Sequence, residues 1–317
     1  MGSGFGFGKV ILFGEHFVVH GVPGIVSAID STADAEVRNI GEGINVSDDR
    51  KGAKGYARQK RTQQRESIRR MLKTMRIDPD KTSLKILLGG SLPGFSGIGA
   101  SAASSVAIAR AIADEFEMRL SDEEINEIAY EAEKAYAGTP SGIDNTAATF
   151  GGLIWFKRNL SGGPNTIEKL SIKEPVEAIV GNTGIVADTK AMVAGVAERK
   201  RDNPRKYNQL FKRAEDLAFT ARKALERFDL RTVGQLMNEN HRLLQEIGVS
   251  CKELDYLVNF ARERGAFGAK LTGGGGGGCM IALVPGKELQ EATATAIEKE
   301  GFKVLRTKIG IQNRRKI

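Results

Sequence analysis

The sequence predicts an α+β protein of two domains, and three features predict it. Apolar strand-like runs in the first half, Lys9–Phe13 and Thr82–Leu88, lead into glycine-containing turns. Near Gly181 the pattern changes, and helical periods then dominate. Two late strands, around Ala266–Leu271 and Cys279–Val284, are joined through KLTGGGGGGC at 270–279. A chain of 317 residues accommodates two domains of ordinary size, here 1–182 and 183–317.

Taken in order, KVILF at 9–13 reads as a buried strand running into Gly14-Glu15-His16-Phe17-Val18-Val19-His20-Gly21. His16 and His20 are four apart, but flanking glycines, the Phe-Val-Val run and the absence of HExxH argue against a helical zinc site. Ala33, Ala35 and Val37 alternate with Asp34, Glu36 and Arg38, as in a half-exposed strand. Arg50–Arg76 holds eleven Lys/Arg against the single acid Glu66, which more than accounts for the net charge of +8. A solvated basic helix buried along Ile68, Met71, Leu72 and Met75 is the first reading. A positive rim that attracts an anionic nucleotide ranks second. A nucleic-acid face ranks last, because Tyr56 is the segment's one aromatic residue.

Pro93–Ser105, PGFSGIGASAASS, follows the second strand. Ile108, Ile112 and Phe116, with Ala109 and Ala113, mark the helix it opens. Free N–H groups at such a helix start suit phosphate, and Ser101, Ser104 and Ser105 add hydroxyls. No Gly-Lys-Ser/Thr follows, so this is no Walker loop, and GxxGxG reverses the dinucleotide fingerprint. A tight strand-to-helix turn using glycine for positive φ explains this stretch equally well. Ser121 with Glu124 forms a capping box for a helix over Ile125, Ile128, Ala129 and Ala132, with Glu133 near its end. Asp144 then sits among small residues in a turn, where a helix cap is its plain role. Gly151–Phe156 is a strand, and helices follow through 210–221, 230–237 and 254–261. Six consecutive glycines at 273–278 cost too much chain entropy for a loose hairpin tip; their backbone must approach something closely.

Hydrophobic residues at 41% and charged residues at 27% are ordinary for a soluble enzyme. No apolar run is long enough to span a bilayer, so no membrane partner is expected. The opening MGSGFGFGKV fits neither a secretory signal nor a myristoylation site. Two cysteines, Cys251 and Cys279, form no disulfide framework, and a reducing cytoplasm is the expected setting. No motif sets the oligomeric state; a homodimer is kept beside a monomer.

Three stretches in order, GKVILFGEH (8–16), PGFSGIGASAASS (93–105) and KLTGGGGGGC (270–279), resemble the three motifs of the GHMP small-molecule kinases. That family is named for its galactose, homoserine, mevalonate and phosphomevalonate kinases. The resemblance runs nearly end to end. It implies an N-terminal domain like ribosomal protein S5 domain 2, a ferredoxin-like C-terminal domain, and an active site in the cleft between them. Within the family the chain is most similar to the members acting on mevalonate, through GKVILFGEHFVVHG, EKAYAGTPSGIDN and VADTKAMVAGV (186–196). GEHFVV, GIGAS and the TPSG turn look like the protozoan type.

The resemblance implies roles. Asp144 would face the substrate hydroxyl as a positioned base, with Lys9 beside it and the γ-phosphate. Glu15, His16 and Thr189 would line the mevalonate site. Ser101 and Glu133 would hold Mg²⁺ against the phosphates of ATP. Pro93, Gly94, Ser96, Gly97, Gly99, Ala100, Ser101 and Ala102, with Ser141, Gly274 and Gly275, would contact ATP. The implied activity is ATP-dependent phosphorylation of mevalonate in isoprenoid biosynthesis. Another GHMP kinase is the alternative, and a non-catalytic relative the third reading, one that would be expected to lack Lys9, Glu133 or Asp144. The chain departs from the family in having Gly6-Phe7 where Ala-Pro is usual, Ala100 for the first of two serines, and Gly274 for an alanine.

Overall fold

The computed structural model describes residues 1–317 except 51, 52, 95, 96, 139, 187 and 313–317. The chain forms two compact units, Met1–Lys9 with Asp30–Gly151, and Val10–Ile29 with Gly152–Ile317. Strands β1 (Gly2–Phe13) and β2 (Gly24–Arg38) each contribute residues to both.

In the first unit β2 pairs antiparallel with β4 (Leu84–Gly89) from Asp34↔Gly89 to Arg38↔Lys85, and β3 (Ile44–Asp48) runs parallel to β4. Alternation along β2 gives Ala33, Ala35 and Val37 to the core, as the sequence predicts. Helix α1 (Ala53–Thr74) carries most of the basic segment; Ile68, Met71 and Leu72 on it, with Met75 just after its end, are buried. It packs on α3 (Asp122–Ala137), which also packs on α2 (Ala100–Glu115) and α4 (Ile143–Phe150). The capping box is present: Ser121 Oγ accepts from Glu124 N–H at 3.2 Å, and Glu124 Oε2 accepts from Ser121 N–H at 2.7 Å.

β1 starts seven residues before the expected strand, and glycine is the reason. A Cβ on Gly2, Gly4 or Gly6 would collide with the backbone of α2, near Ala111, Ala107 and Ala103 respectively. Alternate strand residues are about 6.6 Å apart and every fourth helix residue about 6 Å, so three glycines match three helical turns. The alanines of α2 complete this close packing, and all thirteen residues Ala100 and Ala102–Ala113 are buried.

In the second unit β7 (Val176–Asn182), β8 (Gly268–Thr272), β9 (Cys279–Leu283) and β10 (Lys303–Ile309) form an antiparallel sheet ordered β10-β7-β9-β8. Taken as the first to fourth strands, this is the 4-1-3-2 order of a ferredoxin-like domain. Helices α5 (Thr189–Asp202), α6 (Pro204–Glu226), α7 (Leu230–Glu246) and α8 (Lys252–Glu263) lie between its first two strands, and α9 (Lys287–Lys299) between its last two. α8 packs on β8 and β9, and α9 on β7 and β10. β5 (Leu153–Lys157), which carries Trp155, joins the start of β2 to the mostly exposed β6 (Thr166–Leu170). The sequence change near Gly181 falls within β7. The compact units follow contacts, whereas the 1–182 and 183–317 division follows the change to helical periodicity along the chain.

Candidate active site

The first unit brings together five side chains from four elements. Lys9 lies near the middle of β1, and its N–H donates to Ile98 O at 2.9 Å, fixing the strand to the glycine turn. Its side chain is 3 % exposed, and Nζ stands 3.0 Å from Asp144 Oδ1. The stem runs over Gly99, where a Cβ would lie 2.7 Å from Lys9 Cγ; φ there is 71°, so two constraints require glycine. Asp144 is not the cap the sequence suggests. Gly142, at φ 89°, caps α4, and Asp144 is the second residue of the helix. There the helix dipole favours its negative charge. Ser141 Oγ accepts from Ile143 N–H at 3.4 Å in the same turn.

On α2, Ser101 and Ser105 stand one turn apart and face Glu133 of α3. Ser101 Oγ donates to Glu133 Oε2 at 3.1 Å and Ser105 Oγ to Oε1 at 3.2 Å. Ser104 instead turns back to Ala100 O at 2.7 Å. The sequence offers Ser101, Ser104 and Ser105 alike as hydroxyls; the i, i+4 spacing of Ser101 and Ser105 is the signal that sets Ser104 apart. Burial, then the neighbouring Asp144 charge, pushes the Glu133 carboxyl up to about 7, against the two hydroxyls and Lys9. This centre therefore has one carboxylate and two hydroxyls, hard oxygen donors of the kind that suit a small divalent cation, while the Lys9 ammonium is paired with Asp144. Among the described residues no group of three or more His, Cys, Asp or Glu side chains could hold a metal alone.

The Glu133 shift predicts a pH dependence. From the ordinary 4.5 to about 7 the folded protein holds this proton more tightly than the unfolded chain, so its contribution to stability falls as pH rises through that window. Glu133→Gln removes that fall. Without nucleotide, the variant's melting temperature should gain on the parent's as pH is raised from about 5 to 7.5. A pH-independent difference would show that the carboxyl is not held protonated.

In the glycine turn, Gly97 and Gly99 have φ of 103° and 71°, as a tight strand-to-helix turn requires. Pro93, Gly94, Ala100 and Ala102 line the same turn and helix start, with Gly94 and the two alanines buried. Ser96, assigned to ATP in the sequence, lies outside the described residues.

The second unit gathers Glu15, His16, Thr189 and the glycine run. Glu15 is fully buried and forms an ion pair with Lys270 of β8, while Asn240 of α7 donates to its other oxygen at 3.2 Å. Burial pushes the Glu15 carboxyl up, and Lys270 opposes that. Lys270 also donates to Ile11 O at 3.2 Å and Leu271 O at 2.6 Å. Glu15 is thus engaged with the protein groups Lys270 and Asn240. Nothing local in GEH or KLT couples residues 255 apart. His16 takes φ 60°, and its Nε2–H donates to Gly274 O at 2.9 Å. Burial lowers its pKa to about 4, so the ring is neutral near pH 7. Thr189 opens α5 behind an Asp188 cap, whose Oδ1 accepts from Lys190 N–H at 2.9 Å.

The glycine run does approach something closely, and that something is protein. Gly276 N–H donates to Val249 O and Gly278 N–H to Ile185 O, both at 2.8 Å. A Cβ on Gly275 would meet Val249 O, and one on Gly277 would lie 2.7 Å from Ile185 Cγ2.

Comparison with known proteins extends these observations. The profile described as GHMP kinases N terminal domain matches residues 65–152, and GHMP kinases C terminal matches 221–303. The mevalonate kinase of Pyrococcus abyssi is 34% identical over 93% of this chain and 95% of its own length. The crystal structure of L. major mevalonate kinase in complex with R-mevalonate superposes with a TM-score of 0.91 at 38% identity, covering 98% of this chain and 96% of that one. The Methanococcus jannaschii mevalonate kinase structure gives a TM-score of 0.80 at 26% identity, covering 97% and 98%.

Proposed function

The chain belongs to the GHMP kinases, and from that membership we infer that it catalyses ATP-dependent phosphorylation of mevalonate, forming 5-phosphomevalonate for isoprenoid biosynthesis. The observation that carries this reading is the Lys9–Asp144 pair at 3.0 Å, an acceptor of a proton and a fixed positive charge held together in the first unit. The similar full-length proteins reported above are mevalonate kinases, one of them with R-mevalonate bound.

Phosphoryl transfer needs alignment and neutralisation of charge more than covalent work from the protein. Asp144 accepts or orients the proton of the attacking 5-hydroxyl, an alcohol too weakly acidic to attack unaided at neutral pH. Lys9 holds that carboxylate in place and offsets charge on the transferred group. Glu133 and Ser101, with Ser105 behind the same carboxylate, would hold Mg²⁺. Bound there, the ion would neutralise charge on the ATP phosphates. Pro93–Ala102 and Ser141 serve the nucleotide, with the start of α2 offering free backbone N–H groups. His16 and Thr189 serve mevalonate, and Glu15 fixes the His16 turn through Lys270. The ring of His16, neutral and donating to Gly274 O, offers only a lone pair at Nδ1; it therefore suits a hydroxyl of mevalonate better than its carboxylate. The phosphate-binding and catalytic residues fall in 1–182 and the third motif in 183–317. We place the reaction in the cytosol, in keeping with the free thiols Cys251 and Cys279. No described helix is long and apolar enough to cross a membrane.

A substrate panel tests the reading. With ATP and Mg²⁺, kcat/KM for mevalonate should exceed that for galactose, homoserine and phosphomevalonate by at least about 100-fold, the margin expected where a polar site fits one substrate. Preference for any of the other three overturns the substrate.

A further inference from the structure

Helix α4 runs only from Ile143 to Phe150, and its cap, Gly142, offers no side-chain hydrogen bond. Little in so short a helix fixes how it is rotated about its own axis. That rotation decides where Asp144 points. The next residue, Asn145, supplies what the cap lacks. Its Nδ2 donates to Asn126 Oδ1 at 2.7 Å and to Asn126 O at 3.2 Å, so the amide holds a single residue of α3 twice. Tyr130 Oη donates to Pro140 O at 3.5 Å, in the turn that leads to α4. Asn126, Tyr130 and Glu133 stand at i, i+4 and i+7, on one face of α3. The face that presents Glu133 to Ser101 and Ser105 therefore also grips the helix that carries Asp144.

Adhesion between the two helices does not explain Asn145. The residue is 2% exposed, and its Oδ1 is buried with no hydrogen bond among the described residues. A buried acceptor left unsatisfied costs stability, and a leucine of similar size would join α4 to α3 without that cost. An apolar contact, however, lets a short helix turn and slide by fractions of an ångström. Two bonds from one amide to one residue fix both its rotation and its height.

We propose that Asn145 is a positioning residue for phosphoryl transfer: held by Asn126, it aims Asp144 at Lys9 and fixes it relative to Glu133. The proposal rests on the functional reading above and deepens it by naming what orients the base.

Asn145→Leu separates aim from packing. Lost packing would lower the melting temperature and leave kcat alone. Lost aim should lower kcat about 10- to 100-fold, the effect of misplacing a reacting group by up to an ångström, with both KM values within about threefold of the parent. The melting temperature should hold or rise, because the unsatisfied oxygen is gone and water can reach the half-buried Asn126. In the Asp144→Asn background, where there is no base to aim, Asn145→Leu should lower kcat by less than about threefold more. If Asn145→Leu does not fold, Asn126→Leu removes the nearer acceptor instead. It should lower kcat about three- to tenfold, and only while Asp144 is present. Either folded variant with the kcat of the parent, or an effect undiminished in the Asp144→Asn background, overturns the proposal alone. Absence of mevalonate turnover by the unaltered chain overturns the functional reading, and this proposal with it.

Discussion

Asp144→Asn lowers kcat for mevalonate phosphorylation by about 10²–10⁴-fold, the range for loss of a positioned base. The substitution is nearly isosteric. Asparagine keeps an oxygen for Lys9 Nζ, which stands 3.0 Å from Asp144 Oδ1. It also keeps the second position of α4, so the turn capped by Gly142 is preserved. What is lost is the capacity to take a proton from the alcohol. KM for ATP should change little, because no nucleotide contact is assigned to this carboxylate. Steady-state kinetics with a melting curve for each protein are sufficient. A fall in kcat under tenfold, with folding intact, removes the base from the mechanism and leaves Asp144 an orienting group.

Lys9→Met is expected to lower kcat by about 10²–10³-fold, the effect of removing one preorganised charge from a site where charge develops. Methionine keeps an unbranched stem for the channel over Gly99, where the Lys9 methylenes lie too close for any Cβ. The variant therefore separates the ammonium from its packing. It also relieves Glu133 of a nearby positive charge, one of the influences holding that carboxyl down, so Glu133 should titrate higher than about 7. A variant with unchanged kcat and raised KM for mevalonate alone would make Lys9 a binding residue only.

Much of this was legible in the residues. The basic helix with its buried stripe, the Ser121 capping box and the hairpin around the six glycines depend on short-range patterns, periods of 3.6 and 2 and the chemistry of caps and turns. Those patterns act within a few residues and so survive in the sequence. The motifs also placed Lys9, Ser101, Glu133 and Asp144 in one proposed centre, and the first unit brings their side chains together. Less visible were the early start of β1 and the cap of α4. In the first, glycines that look like a loose leader match the turns of a helix about a hundred residues away. In the second, glycine took the cap that aspartate usually fills.

The sequence by itself determined the fold class and the family, and it supplied the residues proposed to face the phosphates. Tertiary structure alone decided which partners those residues have. It sealed Glu15 against Lys270, gave Ser105 to Glu133 beside Ser101, and set Thr189 over Gly274. The physical reason is that propensity and periodicity are local energies. An ion pair between residues 15 and 270, or the close approach of Thr189 to the backbone of Gly274, exists only once distant segments have fixed their register.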